Sequence, residues 1–225
     1  MTAPRNRPFV IVLAAPSGAG KTSLARALLE ANPELVFSVS ATTRPRRGYE
    51  RDGEHYHFVD DTGFDELVRS GELLEWAAVH DRRYGTPRRA VEAALKAGHH
   101  VVLDVDVQGA RAVRLAFPDA VLVFILPPSG DELVRRLSRR ASEAAAERVR
   151  RMRTAREELV AVGEFDYVVL NDDFQGALRA IEGIIAAERH RVARDDDIAT
   201  RVAELGRRLE QLIERESEDE GSHAG

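Results

Sequence analysis

The sequence predicts an α/β fold in which a parallel β-sheet is flanked by helices. Four short apolar runs rich in β-branched residues have the character of strands that are buried on both faces. They occupy residues 9–14, 101–105, 121–126 and 167–170. Segments with apolar residues at helical spacing separate or follow these runs, at residues 22–31, 88–97, 130–139 and 174–189. Strands that alternate with helices along a chain form parallel sheets.

Composition sets the broad class of the protein. The 225 residues fit one compact domain with small inserted subdomains, and 44% of them are hydrophobic, which is enough for a sizeable core. No run approaches the ~20 apolar residues that span a bilayer, and the first apolar run is too short for a signal peptide. We therefore expect no membrane segment and no membrane partner.

Charge and cysteine content narrow the class further. The net charge of −5 argues against general nucleic-acid binding, which depends on excess positive charge. The chain has no cysteine, so disulfides and thiolate metal sites are excluded. This composition suits a reducing compartment, and we expect a cytoplasmic protein.

The glycine-rich turn after the first strand carries the clearest chemistry. Residues 15–22, APSGAGKT, match the phosphate-loop pattern G-x-x-x-x-G-K-[ST] with alanine at the first position. Gly18 and Gly20 let backbone amides turn towards phosphate oxygens. Lys21 is one of two lysines among 33 basic residues, and its compact ammonium can follow the β- and γ-phosphates where a planar guanidinium would not fit. Thr22 offers its hydroxyl to Mg²⁺.

A glycine turn without a ligand is the alternative interpretation of these residues. The buried strand before the turn and the helix after it are the context that a phosphate loop requires. We therefore predict a loop that binds a nucleoside triphosphate. The loop alone does not distinguish ATPases, GTPases and kinases.

Two stretches interrupt the alternation of strands and helices. Residues 38–84 are polar, aromatic and turn-rich, which indicates a small β-rich insert. Arg44, Arg46 and Arg47 lie in it near tyrosines, and arginine forks bind phosphate bidentately; a solvated basic turn is the alternative. Residues 135–153 form a long, arginine-dense helical stretch with little apolar periodicity.

A carboxylate closes the second predicted strand. Asp104 ends the run VVLD, which is the usual place for a carboxylate that holds Mg²⁺ through water opposite a phosphate loop. Taken alone, this aspartate is a weak signal. The same holds for Glu75 and Tyr84, because such residues in a polar insert are usually on the surface.

The C-terminal segment carries a short apolar stripe. Ile198, Val202, Leu205, Leu209 and Leu212 are spaced 4, 3, 4 and 3 residues apart, over fewer heptads than a coiled coil needs. We favour a helix that packs this stripe on its own domain, and a contact between two copies is the alternative. The segment that follows, ESEDEGSHAG, is acidic, and we expect it to be disordered.

The order of motifs along the chain is more specific than the loop. VSATTR, DGEHYHFV, LLEWAAV, YGTPRRAVEAAL and VVLDVDVQGA follow one another, and FILPPS, VVLNDDF and AERHR continue the series. Over about residues 8–192 the chain resembles the guanylate kinase family in its bacterial form, in which APSGAGK is also common. The resemblance implies a P-loop nucleoside-monophosphate-kinase fold with a GMP-binding insert and a helical lid. It also implies Mg²⁺-dependent transfer of the ATP γ-phosphoryl group to GMP, which gives GDP and ADP.

The resemblance divides the chain into segments. The core would comprise residues 1–38 with the phosphate loop, 88–128 and 154–192. The GMP-binding insert would be 39–87, the lid 129–153, and the C-terminal helical extension with its acidic tail 193–225.

The resemblance also assigns site residues, position by position. Those that would bind ATP are Ala15, Pro16, Ser17, Gly18, Ala19, Gly20, Lys21, Thr22, Ser23 and Asn171. Those that would bind GMP are Ser40, Arg44, Arg47, Tyr56, Glu75, Tyr84, Thr86 and Asp106. The catalytic residues would be Lys21, Arg44, Arg140 and Arg151, with Arg136 as a third lid arginine, and Mg²⁺ would be held by Thr22 and, through water, Asp104.

The implied guanine readers make chemical sense. The hydroxyls of Ser40 and Thr86 can donate to guanine O6, and the carboxylates of Glu75 and Asp106 can accept from N1–H and N2–H. Adenine would leave the carboxylates unpaired, and a site of this kind discriminates by ~10⁴ or more. Arg44 and Arg47, with the hydroxyls of two tyrosines, would hold the GMP phosphate.

The chain departs from the family pattern in two places. RPRRGYE, at residues 44–50, stands where the family has R-x-P-R-P-G-E, which leaves open whether Arg46 or Arg47 faces the GMP phosphate. In the lid, RRAS at residues 139–142 replaces G-R-G-T, and the loss of two glycines is expected to stiffen the lid tip. We interpret Arg135, Arg139, Arg148 and Arg150 as a solvated face.

Two other functions stay open beside guanylate kinase. A kinase for ribose 1,5-bisphosphate would keep the loop and the lid but needs no guanine readers. A non-catalytic guanylate-kinase-like module that binds phosphopeptides typically lacks the loop lysine or the lid arginines, and this chain has both. We expect ATP, GMP and dGMP as substrates, because no residue named senses the 2′-hydroxyl, and a homo-oligomer is left open.

Overall fold

A central parallel sheet and a smaller second sheet organise the larger of two structural units. The computed structural model describes residues 6–16, 18–79, 82–138 and 145–223. In these residues the strands are β1 (Val10–Ala14), β2 (Leu35–Phe37), β3 (Ala41–Thr42), β4 (His57–Phe58), β5 (Leu73–Val79), β6 (Arg82–Pro87), β7 (His100–Asp104), β8 (Val121–Leu126) and β9 (Tyr167–Leu170). The larger unit is Pro8–Ile185.

Helices cover and connect these strands. Those of the described residues are α1 (Lys21–Ala31), α2 (Asp61–Arg69), α3 (Arg88–Lys96), α4 (Val107–Ala116), α5 (Gly130–Ser138), α6 (Ala145–Val160), α7 (Phe174–Arg189) and α8 (Ile198–His223). In this part of the chain no helix is long and apolar enough to cross a membrane.

The larger sheet has the strand order β2-β7-β1-β8-β9 among the described residues, and its neighbours pair in parallel. Alternate side chains of β1 point to opposite faces, as the two-residue period of a strand requires. Ile11 and Leu13 join a buried cluster with Leu24 and Leu28 of α1. Val10 and Val12 join the other cluster, with residues of α3 and α4. The sheet is therefore covered on both faces, and the predicted α/β class is confirmed.

The second sheet has the order β4-β3-β6-β5 within the described chain. Its strands pair antiparallel except β3 and β4, and β5 pairs with β6 from Leu73 opposite Pro87 to Val79 opposite Arg82. A small buried cluster around Phe64 of α2 packs against it. These elements lie in the segment predicted to be a β-rich insert.

The second unit joins Asn6 and Arg7 to the segment that begins at Ala186. Glu188 and Arg194 are 3% and 4% exposed and form an ion pair of 2.9 Å between Oε2 and Nη2. The backbone N–H of Arg7 donates to the carbonyl of Arg194 at 2.8 Å. In α8 four residues of the predicted apolar stripe are exposed, Val202, Leu205, Leu209 and Leu212, and Leu205 keeps 66% of its surface accessible. The expectation that the helix packs this stripe on its own domain is therefore wrong for these four residues.

The sequence located the regular elements of the core closely. The four predicted strands and the four predicted helices are present, with ends that differ by no more than one residue. Three elements were missed, β2, α2 and α4. Asp106, Val107, Ala110 and Val113 carried a signal for α4, because a capping aspartate precedes apolar residues at helical spacing.

The expectation of disorder from residue 216 is wrong for the described residues, since α8 runs to His223. Glutamate and arginine are good helix formers, so a helix already begun at Ile198 continues through them.

A buried leucine and an exposed one test this packing. Leu28 of α1 is 0% exposed, whereas Leu115 of α4 is 85% exposed. We expect Leu28→Ala to lower the free energy of unfolding by about 2–5 kcal/mol, because it removes apolar contacts and leaves a cavity. Leu115→Ala, the same substitution on a helix surface, should change it by less than about 0.5 kcal/mol. Urea denaturation of the three proteins measures both, and equal losses would contradict the assigned core.

Candidate active site

The candidate site lies at the carboxyl edge of the larger sheet. The phosphate loop leaves β1 there, Asp104 ends β7 and Asn171 follows β9. Strand β1 connects through α1 to β2 on one side, and β8 lies on its other side, so the strand order reverses beside β1. Open α/β sheets bind ligands at such a reversal.

Two glycines shape the phosphate loop. Gly18 has φ of 87° and Gly20 has φ of 94°, backbone conformations that favour glycine. Ala15 and Ala19 are buried, so the loop has no room for larger side chains at these positions. The N–H of Ala19 donates to the carbonyl of Pro16 at 3.0 Å and closes the turn. Ser17, predicted to bind ATP, lies outside the described residues.

The loop leads directly into α1. Gly20 is the N-cap of this helix and supplies no side-chain hydrogen bond, and the first turn has no acidic residue. The backbone N–H groups of the first turn of α1 are therefore not bonded to a capping side chain. They point towards the loop, where they favour an anion. Ser23 lies in this first turn and is exposed.

Asp104 contacts both polar residues at the end of the phosphate loop, Lys21 and Thr22. The Nζ atom of Lys21 lies 2.7 Å from Asp104 Oδ1 and donates to the carbonyl of Val105 at 2.6 Å. The Thr22 hydroxyl donates to Asp104 Oδ2 at 2.8 Å. The structure thus brings together the predicted loop lysine and both predicted metal ligands.

Asp104 and Thr22 suit Mg²⁺, which proteins bind together with substrate phosphates. They do not suit a metal that is coordinated by protein side chains alone. No group of three or more His, Asp or Glu side chains that could hold a metal ion occurs in the described ranges. Mg²⁺ keeps several waters and is usually bound by one or two carboxylates together with substrate phosphates. Asp104 and Thr22 match that donor set.

Asn171 and Arg136 contact the back of the phosphate loop. The side-chain amide of Asn171 donates to the carbonyl of Ala19 at 2.7 Å, and Nη1 of Arg136 donates to the same oxygen at 3.3 Å. A Cβ atom on Gly20 would lie 2.5 Å from Asn171 Nδ2, so only glycine allows this approach. Asn171 was predicted to bind ATP, and here its amide donates to the loop backbone.

Arg44 lies in the insert in a bidentate ion pair. Its Nη2 and Nη1 atoms lie 2.6 Å and 3.0 Å from the two carboxylate oxygens of Glu50, which is 5% exposed. The backbone N–H of Arg47 also donates to Glu50, at 2.8 Å. The Arg44 hydrogen bonds, with that of Arg47, lower the pKa of Glu50 to about 2 although burial opposes this.

The two predicted tyrosines lie beside Arg44. Its guanidinium carbon is 5.2 Å from the centre of the Tyr56 ring, and the rings of Tyr56 and Tyr84 are 6.0 Å apart. Arg47 donates from its guanidinium to the hydroxyl of Tyr49 at 3.2 Å. Arg44, Tyr56 and Tyr84 therefore form one cluster, while Arg46 and Arg47 are both exposed.

Three of the predicted guanine readers converge between β5, β6 and α4. Glu75 and Thr86 face each other across β5 and β6, and the Thr86 hydroxyl donates to Glu75 Oε1 at 2.5 Å. Asp106 caps α4 by accepting from the N–H of Gly109 at 2.7 Å. Burial chiefly, and the charge of Asp106, raise the pKa of Glu75 although the Thr86 hydrogen bond lowers it. Thr86, predicted to donate to guanine, donates to Glu75 here.

Ser40, the fourth predicted guanine reader, lies just before β3 and is half-buried. Its backbone carbonyl accepts from the N–H of His57 at 2.9 Å, which continues the pairing of β3 with β4.

Of the predicted lid arginines, Arg140 lies outside the described residues, as do Arg139, Ala141 and Ser142. Arg151 of α6 is 8% exposed, and its Nη1 donates to the carbonyl of Leu137 in α5 at 3.2 Å. It therefore links α6 to α5 in this structure. Arg135 pairs with Glu132 and is largely exposed, as expected of a solvated face.

Sequence reasoning missed Glu50 and Gly109 as parts of the site. Glu50 stood in the quoted segment RPRRGYE, and a carboxylate that follows three arginines was a signal for an ion pair. Gly109 had no such signal, because its relation to Glu75 depends on the packing of α4 against β5.

The low pKa of Glu50 predicts a pH dependence of stability. Because its pKa is about 2 in the folded chain and 4.5 is the ordinary value, the folded state is favoured above pH 4.5 and loses this advantage as the pH falls towards 2. Glu50→Gln has no such proton to take up. We expect its melting temperature to fall less steeply with pH in this window than that of the wild type. Glu54→Gln, at an exposed carboxylate nearby, is the matched control and should behave as wild type. Calorimetry from pH 5 to pH 2 makes the comparison, and parallel curves for all three proteins would contradict the assigned pair.

The chain is similar to known proteins over most of its length. The family model described as guanylate kinase matches residues 6–188. A guanylate kinase from Anaeromyxobacter dehalogenans is 50% identical over 203 residues, which are 89% of this chain and 90% of that protein. A guanylate kinase from Gluconobacter oxydans is 45% identical over 208 residues, which are 92% of this chain and 100% of that protein.

A solved structure agrees with these relatives. The crystal structure of guanylate kinase from Anaplasma phagocytophilum superposes with a TM-score of 0.71 at 32% identity, over 88% of this chain and 94% of that one. The match to the family model extends from the residues before β1 to α7 and so includes the phosphate loop, the second sheet, α5 and α6. With this sequence identity over nearly its whole length, the chain belongs to the guanylate kinase family.

Proposed function

We propose that this chain transfers the γ-phosphoryl group of ATP to GMP, with the phosphate loop binding ATP and the insert binding GMP. One observation carries the proposal. A phosphate loop with its lysine lies at the carboxyl edge of the larger sheet, where Asp106 begins α4 and the half-buried Glu75 of β5 contacts that helix; both carboxylates can accept from the N–H groups of guanine. A kinase for ribose 1,5-bisphosphate has no use for these carboxylates, and a phosphopeptide module has no use for Lys21.

ATP would take the place that Asp104 now fills beside Lys21. The Lys21 ammonium is on a flexible stem and lies 2.7 Å from that carboxylate, so it can turn to the β- and γ-phosphates when they enter the loop. The backbone N–H groups of residues 18–23 would donate to the phosphate oxygens. Asn171 and Arg136 would keep the Ala19 carbonyl turned away from the phosphates, because both donate to it.

The metal-binding pair would act together with ATP. Thr22 and, through water, Asp104 would hold Mg²⁺, which when bound neutralises charge on the phosphate oxygens. When Lys21 turns to the phosphates, Asp104 loses its ammonium partner and regains the capacity to accept from metal-bound water.

GMP would bind with its phosphate at the cluster of Arg44, Tyr56 and Tyr84. Arg44 presents a planar guanidinium that is already fixed by Glu50, so little side-chain entropy is lost when phosphate binds. Arg47 and the tyrosine hydroxyls would add donors. Guanine would then lie against Glu75 and Asp106, with Ser40 and Thr86 near O6.

The transfer itself needs positioning more than proton chemistry. The GMP phosphate is already anionic and can attack without a strong base, so catalysis depends on alignment and charge stabilisation. Lid arginines would supply part of that charge. Arg140, Arg151 and Arg136 are our candidates from the sequence, and the contact of the Arg136 guanidinium with the loop supports the third of them. A lid arginine at this position is commonly worth ~10³–10⁵ in rate.

An acceptor panel tests the proposed reaction. ADP formation from ATP and Mg²⁺ is measured with GMP, dGMP, AMP, CMP, UMP and ribose 1,5-bisphosphate. We expect kcat/KM for GMP to exceed that for AMP by ~10⁴. Glu75→Ala should lower kcat/KM for GMP by about 10–100-fold, because a charged hydrogen-bond acceptor is lost. Glu72→Ala, at an exposed glutamate just before β5, is the matched control and should retain full activity.

The panel also separates the alternatives. Turnover with ribose 1,5-bisphosphate in place of GMP would identify the sister kinase. Binding of ATP without turnover of any acceptor would support the phosphopeptide module.

The raised pKa of Glu75 predicts a pH dependence of GMP binding. Guanine binding requires the ionised carboxylate, and a raised pKa means that the proton is taken up at a higher pH than by an ordinary glutamate. We expect KM for GMP to rise with falling pH at higher pH values than a glutamate of ordinary pKa would cause, and KM for ATP to change less. In Glu75→Gln the KM for GMP should be high, and its remaining change with pH should be only that of the GMP phosphate, whose second proton is taken up near pH ~6. A wild-type KM for GMP that changes with pH no more than that of Glu75→Gln would contradict the role of Glu75.

A further inference from the structure

The Glu75 carboxylate is confined on two sides. On one side Thr86 donates to its Oε1 atom at 2.5 Å. On the other side lies Gly109, where a Cβ atom would be 3.0 Å from Glu75 Oε2 and 3.3 Å from Glu75 Cδ. The second carboxylate oxygen therefore lies against a position from which a side chain is absent.

The backbone at Gly109 has little freedom to move away. Gly109 is buried in the first turns of α4, and its N–H donates to the Asp106 side chain at 2.7 Å. A Cβ atom there would also lie 2.9 Å from the Cβ of Val105, the residue that follows β7. That Cβ is bonded directly to the backbone. Its backbone does not have the positive φ that favours glycine, since the positive values in this chain are at Gly18, Gly20, Gly53, Gly71 and Gly98.

The crowding that a side chain at residue 109 would cause could be relieved in two ways. Either the Glu75 carboxylate is displaced from Thr86, or α4 shifts and takes Asp106 with it, because Asp106 caps this helix. Both changes alter the spacing between the two carboxylates that would accept from N1–H and N2–H of guanine.

We propose that Gly109 is a specificity-determining residue, because its missing side chain leaves the space in which the Glu75 carboxylate faces Asp106. The inference rests on the proposed function, in which Glu75 and Asp106 read guanine. Gly109 touches no substrate and acts as a positioning residue through Glu75.

The test compares Gly109→Ala with Gly183→Ala in the full chain. Gly183 lies in α7 with no atom within 4 Å of the position of its Cβ, so its variant carries the same helix-propensity change without the crowding. For Gly109→Ala we expect KM for GMP to rise by at least about 10-fold and KM for ATP to stay within about 2-fold. Gly183→Ala should match the wild type in both.

Base discrimination provides a second readout. Inosine monophosphate lacks the 2-amino group and so offers the carboxylates only its N1–H. We expect the ratio of kcat/KM for GMP to that for inosine monophosphate to fall in Gly109→Ala, as the carboxylates lose their spacing. A substitution that merely weakened the fold would lower both values and leave the ratio unchanged.

A double-mutant cycle decides whether Gly109 acts through Glu75. In a Glu75→Ala background, Gly109→Ala should raise KM for GMP clearly less than in the wild-type background, because the carboxylate it displaces is absent and only the contact with Val105 is left. An effect as large as in the wild type would overturn the inference. An unchanged KM and ratio in Gly109→Ala, beside a strong loss in Glu75→Ala, would overturn it as well and leave the proposed function standing.

Two further outcomes are informative. If Glu75→Ala had no effect on GMP turnover, the guanine reader of the proposed function would fail, and the inference with it. If Gly109→Ala did not fold, the double variant of Gly109→Ala and Glu75→Asp would be tested in its place. Glu75→Asp withdraws the carboxylate by one methylene. Recovery of the melting temperature in that double variant would support crowding at Glu75, and no recovery would overturn it.

Discussion

The site depends on the burial of strand β1. This strand is hydrogen-bonded to β7 on one side and β8 on the other, and all five of its residues are buried. With its backbone groups used inside the sheet and both faces covered, the chain after Ala14 can leave only at the carboxyl edge. The register of β1 with its neighbours places Asp104 beside the phosphate loop, and β9, paired with β8, places Asn171 beside it.

Charged groups of the site are paired with one another. Lys21 pairs with Asp104, and Arg44 pairs with Glu50. An unpaired, partly buried charge is costly, so these pairs stabilise the fold of the site. In the proposed function, phosphate groups would bring negative charge in place of a carboxylate, and ATP binding would be an exchange of partners at Lys21. At Arg44, Glu50 would keep one side of the guanidinium fixed and so favour phosphate on the exposed side.

In the proposed function, recognition of the base depends on two elements that contact each other. Glu75 comes from β5 in the second sheet, and Asp106 comes from the start of α4, which packs on β5. Each carboxylate already has a local partner, Thr86 for Glu75 and the N–H of Gly109 for Asp106. The spacing of the pair is therefore a property of the helix–strand contact, and a glycine at that contact permits the close approach. A small change in packing there would alter the base readers and leave the phosphate loop unaffected.

Sequence by itself determined the phosphate loop and the core strands and helices other than β2 and α4, and its resemblance to the family supplied most of the candidate residues. The loop and these elements depend on local signals: apolar runs for buried strands, helical spacing, and glycines next to a lysine. Tertiary structure decided which groups face each other. Thr86 meets Glu75 through the register of β5 and β6, and Gly109 meets Glu75 through the packing of α4, although the residues are far apart in the chain. Asn171 and Arg136 meet at one carbonyl of the loop for the same reason. Such contacts have no periodic signature, because they arise only when separate elements are packed together.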